Sequence, residues 1–263
     1  MRLAAQSLVN RAIQIIELLA EHVDGLSVTA IAERLNIPAS ATHRLLITLA
    51  ETHMVEQDAL TKHHKLSLSL PALGLRYLSN FTFMQISRPI MEALASETRE
   101  LVRLAIVDEN RLIWIAKAQG SRSSLRIDPL EGREAILHVT AAGKAWLASM
   151  ADEQVIRLAR LKRTKASKPI YGPNALDSMD ALIADLAGAR RNGFAVTYDE
   201  AELGVVAIGA VIRSGAGAEA PVVGTISVAG PSARLTRKEL VGMSRPVLAA
   251  ARRLSEIWPA TSH

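Results

Sequence analysis

Cysteine is absent from all 263 residues. That excludes a disulfide framework, cysteine-ligated zinc, iron–sulfur clusters and thiol nucleophiles together, and it fits a reducing compartment. Long apolar runs are missing as well. The longest, Val205 to Ile212, has the length of a strand, against the roughly 18–20 residues that cross a bilayer. Arg11 and Glu17 interrupt the N-terminal stretch, whose apolar residues are spaced as on a helix, so no secretory leader is expected and no membrane association. A soluble cytoplasmic protein is the working expectation. With 49% hydrophobic residues the chain can bury a substantial core without staples, and its length suits more than one domain.

Net charge is missing where a nucleic-acid-binding head would be expected to carry it. The chain is basic overall, +5 with a pI near 9.7. Residues 1–80 nevertheless hold seven Lys/Arg against seven Asp/Glu, so the whole excess falls on 81–263. The densest basic stretch, Arg157 to Lys168, reads as a solvated helix end and loop. Bulk charge therefore does not argue for nucleic acid here, and local pattern must.

Catalytic and metal constellations are also wanting. Gly143-Lys144 resembles part of a phosphate loop, but His138 stands where the earlier glycine belongs and Ala145 where the Mg²⁺-binding hydroxyl belongs. Gly224 to Gly230 has the wrong spacing for a nucleophile elbow. His63 and His64 are adjacent and point to opposite sides of a strand, so they cannot chelate one ion. His138 reads as a hydrogen-bonded core histidine, and Asp199, Glu200 and Glu202 as a solvated connection. No metal, cofactor or catalytic residue is expected.

What is present is a sequence of helix and strand signals. Ser7 precedes apolar residues at helical spacing (Leu8, Ala12, Ile15, Ile16, Leu19), and Ser27 can cap a second short helix with Ile31 and Leu35 on one face. Asn36-Ile37-Pro38 makes a tight turn. A third helix, about Ala39 to Thr52, sets Leu45, Leu46 and Leu49 on one face and Ser40, His43, Arg44 and Ile47 on the other, with Thr42 on the core side. A hairpin follows, from Val55-Glu56 through a polar turn to an alternating run over Lys65 to Leu70. This is the order of a winged helix-turn-helix. Pro71 to Leu78 and Thr82 to Ala95 read as connecting helices.

Beyond residue 96 the pattern is that of a mostly antiparallel sheet of five or six strands flanked by helices. Strands are expected at 101–107, 112–116, 125–127, 194–197, 205–212 and 222–229, and helices at 140–150, 152–161 and 176–191. A capping box, Thr236 to Glu239, opens a final helix bearing Leu240, Val247, Ala251 and Leu254. Small, weakly polar residues recur here. Backbone N–H groups of Ala141 and Ala142 at a helix start can hold an anion. Ser227 and Ala229 share one sheet face, as do Leu125 and Ile127. If those faces meet, they enclose a mostly apolar pocket with a few directed donors.

At this point the chain resembles the IclR family of bacterial transcriptional regulators, through nearly its whole length. The matching stretches are Leu26-Ser27 with Ile31 to Leu35, Pro38 to Leu46 with Leu49, His138 to Ala145, Asn192 to Ala195, Leu203 to Ala210, and Ile226 to Pro231. The resemblance implies an α+β chain with a winged helix-turn-helix over 1–70, connecting helices over 71–95, and a GAF-like effector-binding and oligomerisation domain over 96–258. It implies a homodimer or homotetramer on a palindromic double-stranded operator, acting as repressor or activator. Ser27, Ser40, Thr42, His43 and Arg44 are carried over as DNA-binding, and Lys62 and Lys65 on the wing would reach flanking phosphates. Ala141, Ala142, Thr197, Ala207, Ser227 and Ala229 are carried over as effector positions, joined by Leu125 and Ile127. Family members that bind small oxoacids often have a carboxylate, a cysteine and a second serine where Thr197, Ala207 and Ala229 stand. The effector expected here is a larger or more apolar carboxylate, aromatic in character. Two other readings stay open at this stage: an enzyme using the C-terminal pocket with Asp199 and Glu200, and a metabolite-sensing scaffold that binds no DNA.

Overall fold

The computed structural model describes residues 7–79, 81–129, 131–159, 171–215, 217 and 219–258. It divides into two compact units, Met1–Phe81 and Thr82–His263, so the boundary falls within the 71–95 stretch.

In the first unit, α1 (Leu8–Ala20) and α2 (Val28–Leu35) are N-capped by Ser7 and Ser27, whose hydroxyls accept from Asn10 N and Ala30 N. Asn36 closes α2 in the left-handed region (φ 52°), and Ile37 N reaches back to Ala32 O at 3.0 Å. Three residues therefore separate α2 from α3 (Ala39–Glu51). Ile15, Leu19, Ile31, Leu46, Leu49 and Val55 form the core beneath them. The wing is shorter than its alternating sequence suggests. β1 (Val55–Gln57) pairs antiparallel with β2 (His64–Leu66), and the chain already enters α4 (Ser69–Ser79) where the pattern predicts strand. Ser67 explains the change, because its hydroxyl accepts Ser69 N at 3.1 Å and starts the helix instead of a further ladder rung.

The second unit is a five-stranded antiparallel sheet in the order β4-β3-β7-β6-β5. Its strands are β3 (Leu101–Asp108), β4 (Arg111–Gln119), β5 (Ala195–Tyr198), β6 (Val205–Arg213) and β7 (Val222–Pro231). One face carries α6 (Ala141–Ala148), α7 (Asp152–Leu158) and α8 (Met179–Asn192), around Trp114, Trp146, Leu147, Leu182 and Leu186. The other is covered by α5 (Thr82–Thr98) and α10 (Ser244–Ile257). Most of Arg157 to Lys168, and the end of the helix predicted over 152–161, lie outside the described residues.

Two expectations are corrected. Leu125 to Ile127 is not a strand. Its carbonyls are taken by side chains, Arg234 Nη1 donating to Leu125 O and Gln119 Nε2 to Ile127 O (both 2.9 Å), while Ser121 and Ser123 form local hydroxyl turns. The single final helix is two, α9 (Arg237–Gly242) and α10, meeting at Met243. The capping box does open α9, but Pro246 cannot donate to the Gly242 carbonyl and its ring collides with it in a continuous helix, so the chain restarts at Ser244.

Candidate functional site

On the first unit, α3 turns Ser40, His43, Arg44 and Ile47 to solvent. The Arg44 guanidinium makes no hydrogen bond or ion pair among the described residues. Ser27 and Ser40 lie at the two helix starts, Ser27 with its hydroxyl engaged in its own cap. Thr42 is withdrawn from this set. It is 0% exposed, and its hydroxyl donates to Pro38 O at 3.2 Å, so it locks the first turn of α3 and reaches no partner. On the wing, Asp58 Oδ1 gathers Leu60 N, Thr61 N and the Thr61 hydroxyl, and these hydrogen bonds, Thr61's backbone foremost, hold its pKa below the ordinary carboxylate value. That ordered turn presents Lys62 at φ 60°. Lys65 is partly neutralised by Glu56, 3.2 Å away.

His64 sits under this surface with Nδ1 buried and unpartnered, and desolvation, then the charges of His43 and His63, push its pKa below the ordinary value near 6.5. His138 in the second unit is lowered too, by burial and then by Lys144, and among the described residues its ring meets Tyr171 edge-to-face at 5.1 Å. Both rings are therefore favoured neutral in the folded chain. The unfolded chain binds more protons below pH 6.5, so their contribution is present above that value and lost as pH falls through it. The melting temperature is expected to drop between pH 7 and 5.5, and His138→Phe to flatten part of that slope. A slope unchanged in His138→Phe would deny His138 this role.

On the second unit, strand register assembles what the sequence leaves scattered. Thr197 pairs with Ala207, Ala207 with Ala229, and Ala229 with Leu101, so the three carried-over positions form one row on three strands, which Leu101 continues onto a fourth. In the next row Ala195 faces Gly209, Gly209 faces Ser227, and Ser227 faces Arg103. A Cβ on Gly209 would stand 3.0 Å from Ala141 C and Ala142 N, which places the start of α6 on this same face. Thr140 caps α6 by accepting Gly143 N at 3.1 Å, while the Ala141 and Ala142 amides donate to nothing among the described residues. Ser227 (3% exposed) and Thr197 are buried with hydroxyls that make no hydrogen bond among the described residues, and the Thr225 hydroxyl, two residues along the same face, is buried and unpartnered. Leu125 does not join this row. It lies in the loop described above and is 56% exposed, and Ile127 is half-buried.

Sequence reasoning missed Gly209 and Arg103, which only the pairing brings to the site. It also missed the fate of Lys144. That ammonium is 1% exposed and is held by Glu200 Oε2 at 2.5 Å and Asp185 Oδ2 at 2.8 Å. Glu200 is thus not solvated. Burial raises its pKa above the ordinary value, against the opposing pull of Lys144. No group of His, Asp or Glu able to hold a metal ion occurs among the described residues, and no helix there is long and apolar enough to cross a membrane.

Residues 75–256 match the family described as bacterial transcriptional regulator IclR C-terminal, and residues 8–59 match the IclR helix-turn-helix domain. The chain is 30% identical to the HTH-type transcriptional repressor AllR of Escherichia coli strain K12, covering 98% of this chain and 92% of that protein. It is 30% identical to the HTH-type transcriptional regulator BhcR of Paracoccus denitrificans, over 94% and 85% respectively. The fold is shared with an IclR transcriptional regulator from Alicyclobacillus acidocaldarius (TM-score 0.79, 21% identity, 96% of this chain and 98% of that one). It is shared also with an IclR homolog from Microbacterium hydrocarbonoxydans complexed with 4-hydroxybenzoate (TM-score 0.73, 22% identity, 95% and 99%).

Proposed function

This chain belongs to the IclR family of bacterial transcriptional regulators, with a helix-turn-helix DNA-binding domain, and from that premise we propose that it grips its operator through α3 and the wing and is switched by an aromatic carboxylate bound in the C-terminal unit. The observation that carries the effector reading is the pair of unengaged Ala141 and Ala142 amides above Gly209, beside the free hydroxyls of Ser227 and Thr197. An anion at a helix start is stabilised by those N–H groups and by the helix dipole. The small residues Ala207 and Ala229 leave room for a ring rather than supplying further polar contacts. A relative of the same fold solved with 4-hydroxybenzoate supports that ligand class.

For DNA, Arg44 is the candidate base reader, His43 and Ser40 flank it, and Ser27, Lys62 and Lys65 serve phosphates. A balanced charge over residues 1–80 means that one head binds weakly, so the reading includes a homodimer or homotetramer whose heads meet half-sites about one helical turn apart or a multiple of it. Apolar side chains exposed on α1 (Leu8, Val9, Ile13) and on α4 (Leu73, Leu75, Tyr77) suit association with further copies. Turnover is no part of the proposal: Glu200, the one buried acid of the suspected acid cluster, is committed to Lys144.

The test is a gel shift on the upstream intergenic DNA combined with a thermal-shift screen. Aromatic monocarboxylates are expected to raise the melting temperature and change retardation. Stabilisation by two- or three-carbon acids alone would overturn the ligand class.

A further inference from the structure

Arg103 is a cation that the effector reading leaves without a purpose. It projects from β3 on the sheet face that carries Ser227, its direct partner across the ladder, and Gly209 is Ser227's partner on the next strand. The free amides of α6 therefore stand over one end of a three-strand row, and a guanidinium occupies the other. The guanidinium carbon lies 3.6 Å from the centroid of the Trp114 ring. Trp114 itself is buried among Ala142, Trp146 and Leu147, so this platform is fixed by the core that seats α6.

The arginine makes no hydrogen bond or ion pair among the described residues, although it feels the charge of Glu131. Burial pulls its pKa down to about 10, which leaves it a cation at neutral pH. A partly buried guanidinium with its planar donors unused is unfavourable alone and is matched by a carboxylate, which accepts two parallel N–H bonds. Stacking on Trp114 keeps the fork from collapsing elsewhere.

We propose that this face takes an aromatic acid with two anionic groups at opposite ends of a flat ring, one on the Ala141 and Ala142 amides with Ser227 and the other on Arg103. Two strand spacings separate the Gly209 and Arg103 positions, about 10 Å. The proposal rests on the effector reading above and sharpens it, making Arg103 the residue that selects a dianion over a simple benzoate.

Isothermal titration of the full-length protein with benzoate and with benzene-1,4-dicarboxylate tests it. The dicarboxylate is expected to bind about tenfold or more tightly than benzoate. Arg103→Met should abolish that advantage while leaving benzoate affinity within about twofold, and Arg103→Lys should keep part of it. Equal affinities in the unaltered protein, or an advantage that survives Arg103→Met, would overturn the role of Arg103 and leave the effector reading standing on its benzoate binding. The unaltered protein decides the first point even if Arg103→Met does not fold. No heat with either acid at millimolar concentration would overturn both.

Discussion

Replacing Arg44 with alanine is expected to lower affinity for each operator half-site roughly tenfold to a hundredfold, the range that follows from losing one bidentate base contact worth about 1–3 kcal/mol. The expectation comes from placement. Arg44 stands on the exposed face of α3 with no acid to hold it among the described residues, whereas Lys65 on the wing shares its charge with Glu56. Among the described residues the side chain is bound to nothing in its own fold, so its removal should leave the melting temperature nearly unchanged. Fluorescence anisotropy on operator and on scrambled DNA separates two roles. A guanine contact flattens the preference between the two sequences, whereas a phosphate contact weakens both alike and reduces the salt slope by about one. An affinity within about twofold of the unaltered protein on both DNAs would remove Arg44 from the interface. Thr42→Val is a useful contrast, because Thr42 faces the core and its loss should show in stability and not in sequence preference.

The second large effect is expected inside the C-terminal unit. Lys144→Met should destabilise the chain by about 3–5 kcal/mol, the usual result of stripping one partner from a buried ion pair, and a large share of the 5–15 kcal/mol that holds a domain folded, to order of magnitude. Asp185 is partly exposed and regains water when the ammonium goes, but Glu200 is buried and does not. The double variant Lys144→Met/Glu200→Gln is therefore expected to recover much of the loss, since a neutral amide removes the uncompensated charge. The pH dependence gives a second handle. The folded-state pKa of Glu200 lies above its ordinary value, so its contribution is fullest below the ordinary carboxylate range and is lost as pH rises through the folded value. Lys144→Met should make that loss steeper. Urea unfolding at several pH values measures it, and a single variant within about 1 kcal/mol of the unaltered protein would show that the pair holds little.

The helix-turn-helix head was legible because every signal in it is local. Ser7 and Ser27 cap within three residues, Asn36 turns the chain in place, and one helical wheel sorts Arg44 from Leu46. The same wheel placed Thr42 on the core side, and the tightly bonded turn at Pro38 bears that out against its assignment to the DNA set. The wing misled for a related reason: alternation over Lys65 to Leu70 is a strand signal only while no hydroxyl offers the backbone a shorter route, and Ser67 does.

In the sheet domain the residue types at the ligand face were also readable, as a scatter of small and hydroxylated positions. Their assembly was not. Which residue faces Ser227 is set by the register of β3, β7 and β6, segments more than a hundred residues apart in part, and a slip of one place would send each to the other face. Arg103 reads from the chain as an ordinary polar position in a strand, and Lys144 as a failed phosphate-loop lysine. Only tertiary packing sets one over Trp114 and buries the other against Glu200, because desolvation and pairing are properties of neighbours distant along the chain.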